Sequence, residues 1–267
     1  MKKTKLIVIA ALVLSLLGST CVVAEAAENR TTCAPSGISV TKSGVMYMSD
    51  RNYHILRTRD ADGKIETLAG TEGESGYKDG SAKEAMFHSP WDVVSYKNGL
   101  AISDTENHVI RVMDKKGKVS VFAGSKKGCA GGKVKNARFC EPTGLCYYKG
   151  ALYVADSGNH RICKIKDGKV TTIAGSSKGI EGSSVGKASK ACLSNPQEIC
   201  WANGKMYIAD TGNGAVKLLQ NGKVSEIVKA YSLSEGTAPV EPCGLMIKGK
   251  YLFVGDMFTE KLLKIEL

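Results

Sequence analysis

A five-residue phrase ending in aspartate recurs five times in this chain: Met46-Tyr-Met-Ser-Asp50, Leu100-Ala-Ile-Ser-Asp104, Leu152-Tyr-Val-Ala-Asp156, Met206-Tyr-Ile-Ala-Asp210 and Leu252-Phe-Val-Gly-Asp256. The aspartates are 54, 52, 54 and 46 residues apart. A period of that size means stacked supersecondary units, none of which buries its apolar face alone. Each copy parses the same way. A proline opens a first strand (Pro35, Pro90, Pro142, Pro196, Pro242), a glycine turn follows (Gly44, Gly99, Gly150, Gly204, Gly249), and the aspartate phrase forms a second strand. A third strand begins at His54, His108, His160, Gly214 and Glu260, and another glycine turn (Gly63, Gly117, Gly168, Gly222) leads to a fourth. The apolar runs are short and bounded by turn residues, as in strands covered on both faces. Turn residues at intervals of about ten exclude long helices.

Four-stranded sheets stacked face to face predict an all-β propeller of five blades, with repeats at about 35–70, 90–124, 142–175, 196–228 and 242–267. The last copy ends on its third strand. Blade five is therefore expected to lack an outer strand and to close the ring by packing on blade one. The copy Pro142-Thr-Gly-Leu145, Leu152-Tyr-Val-Ala-Asp-Ser-Gly-Asn-His-Arg-Ile162 and Thr171-Thr-Ile-Ala-Gly175 resembles the NHL-repeat family of β-propellers. The resemblance covers nearly all of 35–267 and implies the fold. It does not imply one activity, because the family includes binding platforms, sensor domains and a few enzymes. One such enzyme, the peptide-amidating lyase, holds zinc on histidines directly after the strand-opening proline. The matching residues here are Ser36, Trp91, Thr143, Gln197 and Cys243, so that chemistry is not carried over.

Residues 1–26 read as an export signal, leaving 27–267 as one domain. Lys2, Lys3 and Lys5 precede the apolar run Leu6 to Leu17, and Ala24-Glu25-Ala26 offers a small-x-small cleavage site. That run is too short to span a bilayer. Cys21 opens the less favoured reading of a lipidated anchor. The expected location is secreted or at the cell surface, which argues against a nucleic-acid partner. A net charge of +11 favours anionic partners at encounter, although most of the lysines fall in turns. Cysteines in an exported chain predict disulfides, with Cys129–Cys140 and Cys33–Cys243 as candidates. Cys146 and Cys200 share a slot on adjacent inner strands and read as thiols.

In this strand order the second-to-third turns and the crossings between blades share one face. The variable segments Thr71 to Ser89, Ser125 to Glu141, Ser176 to Asn195 and Lys229 to Glu241 are all crossings. Loops on a rigid scaffold are where binding concentrates. The candidate ligand-binding residues there are Arg51, Tyr53, His54, Tyr77, His88, Trp91, His108 and His160, with Trp91 either an exposed platform or a plug between blades. Asp50, Asp104, Asp156, Asp210 and Asp256, with Asn107, Asn159 and Asn213, read as structural, the carboxylates accepting from N–H groups of the following turn. Three histidines in one slot raise zinc, and an aspartate ring raises calcium, but equivalent slots of neighbouring blades lie apart and no cofactor is expected. The reading is a non-catalytic recognition module for a cell-surface or extracellular protein, peptide or anionic glycan. The alternative is a metal-dependent lyase or hydrolase at the channel mouth.

Overall fold

The computed structural model of the chain describes residues 35–229, 241–257 and 262–267. Residues 1–26, including Cys21, and Cys33 lie outside them. Blade one is β1 (Gly37–Val40), β2 (Met46–Asp50), β3 (Ile55–Arg59) and β4 (Ile65–Ala69). Blade two is β5 (Gly80–Ser81), β6 (Pro90–Tyr96), β7 (Gly99–Asp104), β8 (Val109–Met113) and β9 (Lys118–Ala123). Blade three is β10 (Gly132–Lys133), β11 (Pro142–Tyr148), β12 (Ala151–Asp156), β13 (Arg161–Lys166) and β14 (Lys169–Gly175). Blade four is β15 (Gly186–Lys187), β16 (Pro196–Ala202), β17 (Lys205–Asp210), β18 (Ala215–Gln220) and β19 (Lys223–Lys229). Blade five is β20 (Pro242–Lys248), β21 (Tyr251–Asp256) and β22 (Leu262–Glu266).

Every blade is an antiparallel meander of consecutive strands. In blades two to four the crossing adds a fifth, two-residue strand outside the fourth, in the order β6-β7-β8-β9-β5 and its equivalents. The expected fourth-strand rim is therefore one strand wider, and the crossing is held down at both ends. Blade five has three strands among the described residues, as its sequence predicted.

The seams between blades carry the core. Ala101, Ile110 and Phe139 pack with Leu145, Leu152 and Val154 between blades two and three, and Ala151, Ile162 and Leu193 pack with Ile199, Met206 and Ile208 between three and four. Phe87, Phe139 and Leu193, each three residues before a strand-opening proline, are wholly buried. Each stabilises its seam by about 1.5–3 kcal/mol. Inner strand packs on inner strand from β1 through β6, β11 and β16 to β20. Among the described residues no comparable seam joins β20 to β1, which corrects the expected direct closure of blade five on blade one. Copy number counts the blades. The angle between them is set by the width of the side chains filling each seam, which the count does not reveal.

Candidate binding face at the seam of blades one and two

The aspartates that end each second strand are wholly buried, and their partners differ from those expected. In blades two to four Oδ1 accepts a backbone N–H from the crossing, not from the following turn: His88 to Asp104 and Cys140 to Asp156 at 2.8 Å, and Ser194 to Asp210 at 2.7 Å. Oδ2 accepts the side-chain amide of Asn107, Asn159 or Asn213, which also donates to a crossing carbonyl, Gly76, Gly128 or Gly182, at 2.8 Å. Oδ2 also meets a buried cation: Arg111 at 2.9 Å, Arg161 at 2.7 Å and Lys217 at 2.7 Å. Burial pushes these carboxyls up, and the cation, amide and backbone donors pull them back. Blade one has Tyr53 in the asparagine slot. There the backbone groups of Asn52 and Tyr53 help to offset the burial of Asp50, and Arg57 reaches its Oδ2 at 3.0 Å.

The cations were missed in the sequence, and a signal for them exists. A charged residue stands three positions after the histidine slot in blades one, two and four (Arg57, Arg111, Lys217), inside an otherwise apolar strand. In blade three that slot is Cys163 and the cation moves to Arg161, one position after the histidine. All reach beyond the aspartate to crossing acceptors. Arg111 donates to the carbonyls of Lys78 at 2.8 Å and Met86 at 3.1 Å, Arg161 to Arg138 at 3.1 Å, and Lys217 to Ser183 at 3.2 Å and Cys192 at 3.0 Å. The loops of this face are thus fastened from beneath.

The three histidines are fastened in the same sense. His54, His108 and His160 sit at φ 59°, 57° and 52°, a left-handed conformation that Gly214 supplies in blade four. Each ring Nδ1 accepts the N–H of the residue before the next blade's proline: Ser89 at 3.0 Å, Glu141 at 3.2 Å and Asn195 at 3.0 Å. They occupy three separate seams, and among the described residues no three of His, Cys, Asp and Glu converge as metal ligands. Accepting at Nδ1 requires the neutral ring. Burial, then neighbouring His88 or Lys127, holds His54 and His108 below the usual imidazole range. The stability these rings add is present above about pH 6.5 and is lost as pH falls through their lowered pKa values. His108→Asn, which tolerates the left-handed backbone, is expected to lower stability by about 1 kcal/mol at pH 7.5. Urea titrations should show that deficit closing toward pH 5. A deficit unchanged with pH would refute the clamp.

One seam departs from the repeat. In blades two to four the residue after the aspartate is a hydroxyl (Thr105, Ser157, Thr211) bonded to the carbonyl of the next blade's proline. In blade one it is Arg51. Its guanidinium lies 4.5 Å over the ring of Trp91, and Ser36 takes over the Pro90 carbonyl at 3.2 Å. Trp91 is 9 % exposed, which corrects the platform reading: it plugs the seam and Arg51 covers it. Among the described residues Arg51 makes no hydrogen bond or ion pair. Burial lowers its pKa, offset in part by Glu106, and the group stays cationic. His54 and His88 stand edge to face at 5.4 Å. Tyr53 lies under Arg57 at 5.6 Å, and Tyr77 projects from the crossing, 56 % exposed. So Arg51 is brought against Trp91 and His54 against His88, whereas His108 and His160 belong to other seams.

Below this mouth two carboxylates approach each other. Asp92 and Glu198 hold the same inner-strand slot that is Gly37, Gly144 and Gly244 in the other blades. Asp92 Oδ2 accepts Leu145 N–H at 2.8 Å, and Glu198 Oε1 lies 2.8 Å from where a Gly144 Cβ would be. Both therefore converge on the Gly144–Leu145 backbone, and only glycine fits between them. Burial pushes Asp92 up to about 6 and Glu198 well above its usual range, with the charge of Asp92 adding to the rise of Glu198.

Among the described residues the cysteines are thiols. Cys129 Sγ turns to the Ser177 carbonyl at 3.4 Å, while Cys140 packs under Gly158, so the predicted Cys129–Cys140 bridge is not formed. Cys243 Sγ faces the Gly255 carbonyl, and burial raises its pKa to about 12.

Comparison with known proteins gives the same architecture. A sequence model described as NHL repeat matches residues 139–165. NHL repeat-containing protein 2 from Gallus gallus is 28 % identical over 91 % of this chain, and the bovine protein is 26 % identical over 88 %. This chain spans about two fifths of their length, 40 % and 39 %. Among solved structures, a nidogen/laminin complex matches with a TM-score of 0.62 at 15 % identity, over 88 % of this chain and 76 % of that one. A catalytically inactive virginiamycin B lyase from Staphylococcus aureus, with quinupristin, matches with 0.58 at 17 % identity, over 90 % and 68 %. At these identities the likeness is one of fold.

Proposed function

We propose that this chain, an NHL-repeat β-propeller, is an exported recognition module whose crossing face binds a protein or peptide partner, seating an acidic group of that partner on Arg51. The observation that carries the reading is the departure of one seam from a repeat that otherwise explains itself. Four blades supply the internal control: where the fold alone is at stake, the position after the aspartate holds a small hydroxyl in three of them. An arginine that makes no ion pair among the described residues, lodged on a tryptophan, adds nothing that a threonine would not give the seam. A partly desolvated guanidinium is a ready acceptor site for carboxylates, which it can grip with two parallel N–H groups. The cation–π contact with Trp91 fixes its plane before a partner arrives. Tyr77 and Tyr53 add aromatic surface nearby, the residue type that dominates interface energetics. The crossings do not need to fold on binding, because the Asp–Asn–cation clamps already hold them.

Selection of random dodecapeptides on the wild-type protein, with counter-selection on Arg51→Glu, tests this. Enriched peptides should share an acidic residue and lose at least tenfold in affinity on Arg51→Ala, with a smaller loss on Tyr77→Ala. Peptides that bind Arg51→Glu as well as wild type, or no enrichment at all, would remove the proposal.

A further inference from the structure

The opposite face, built from the hairpins that join first to second and third to fourth strands, carries a different chemistry. Aromatic rings sit at the ends of the inner strands and lysines follow them in the turns. Tyr96 lies 4.9 Å from Tyr147 and 5.4 Å from Phe122, and Lys97 Nζ stands 5.2 Å over the Tyr96 ring. Tyr148 is stacked flat on Trp201 at 5.0 Å with 5° between the planes, and Lys149 Nζ lies 5.3 Å over Tyr148. Trp201 also meets Tyr153 at 5.3 Å. At the seam of blades three and four Tyr153 and Trp201 line a cleft of about 220 Å³, with Lys164 on the blade-three wall and Gln220 and Asn221 on the blade-four wall. Lys97 and Lys149 are exposed, and among the described residues neither they nor Lys164 is in an ion pair.

We infer that this hairpin face is a binding surface for an acidic polysaccharide, one sugar ring resting in the Tyr153–Trp201 cleft. An aromatic floor covers the C–H face of a sugar ring, the amides of Gln220 and Asn221 can bond its hydroxyls, and Lys164 faces a carboxylate on the ring. The cleft is smaller than the 300–1,000 Å³ typical of pockets that enclose a whole ligand, which suits one ring of a longer chain. Lys97 and Lys149 extend the positive surface along the direction that chain would take. Single-stranded nucleic acid, whose bases would use the same rings, is the competing occupant that the test separates from a sugar chain. This surface is distinct from the Arg51 seam and does not depend on it.

The test uses polygalacturonate, neutral dextran and oligothymidylate as probes in affinity electrophoresis and calorimetry. Polygalacturonate should bind, dextran should not, and binding should weaken at least tenfold between 50 and 300 mM NaCl, since exposed lysines are screened. Lys149→Gln combined with Lys164→Gln should cost at least tenfold with an unchanged circular-dichroism spectrum. Tyr148→Ser should weaken binding at constant charge, and Arg51→Ala should leave it intact. Absence of polygalacturonate binding, indifference to the lysine pair, or tighter binding of oligothymidylate would each overturn the inference.

Discussion

Arg111→Met is expected to remove about 3–5 kcal/mol of folding stability, the cost of leaving one partner of a buried ion pair behind. Asp104 and the Arg111 side chain are both fully buried, and the guanidinium also holds Asp79 at 2.6 Å and two crossing carbonyls. Its loss strands a carboxylate and frees the crossing Thr71 to Ser89 together. For a domain stabilised by about 5–15 kcal/mol that is a large share. Arg111→Lys should retain more than half of the effect, because Lys217 performs the same task in blade four through Asp210, Ser183 and Cys192. Replacing both members, Arg111→Met with Asp104→Leu, should recover part of the loss, since no charge is then buried alone. The exposed pair Lys64–Glu66 is the control: Lys64→Gln should not move the urea midpoint measurably. An Arg111→Met protein within 1 kcal/mol of wild type would show that the clamp is decorative.

Glu198→Gln is expected to act in the opposite direction. A carboxyl pushed from 3.8 to about 6, as Asp92 is, opposes folding by about 3 kcal/mol at pH 7, where the unfolded chain ionises it freely. Such a group adds stability below pH 4 that disappears as pH rises through 6. Asp92 in turn raises Glu198, and among the described residues the ionisable groups coupled to Glu198 are Asp92, Cys146, Cys200 and Cys243, none of them a cation. Removing the Glu198 carboxyl should therefore stabilise the protein at pH 7. The advantage over wild type should shrink toward pH 4. The histidine clamps titrate in both proteins and cancel in the difference. A neutral or destabilised Glu198→Gln protein at pH 7 would mean that the two carboxylates are not in contention.

Much of this molecule is legible as text because its information is repeated. The prolines, glycine turns and aspartate phrases recur in order, so the strands of the meander and the blade count could be read off directly. Trp91 and Arg51 were also placed on one face by chain direction alone. What they do to each other was not. Whether a tryptophan at a blade edge stands out or lies down depends on what the neighbouring blade offers as a lid, and here that lid is Arg51. The histidines carry the same lesson: the repeat already kept their equivalent slots apart, but did not show that each ring accepts an N–H from the residue before the next blade's proline. Arg161 illustrates a third limit. It reaches Asp156 and the Arg138 carbonyl from a different backbone position than Arg111 and Lys217 use, so a column of the repeat cannot show it as the same device.

The amino-acid sequence by itself therefore determined the repeated meander, its strand order and its turns, because those follow from local propensity and periodic burial, whereas the two-residue outer strands of blades two to four came from the crossings. The tertiary structure alone decided how units address one another. Which cation meets which buried aspartate, how two acids come to share the space beside Gly144, and whether the ends meet are all set across seams. Contacts there join residues some fifty positions apart in sequence, and distance and desolvation, to which local pattern is blind, decide their strength.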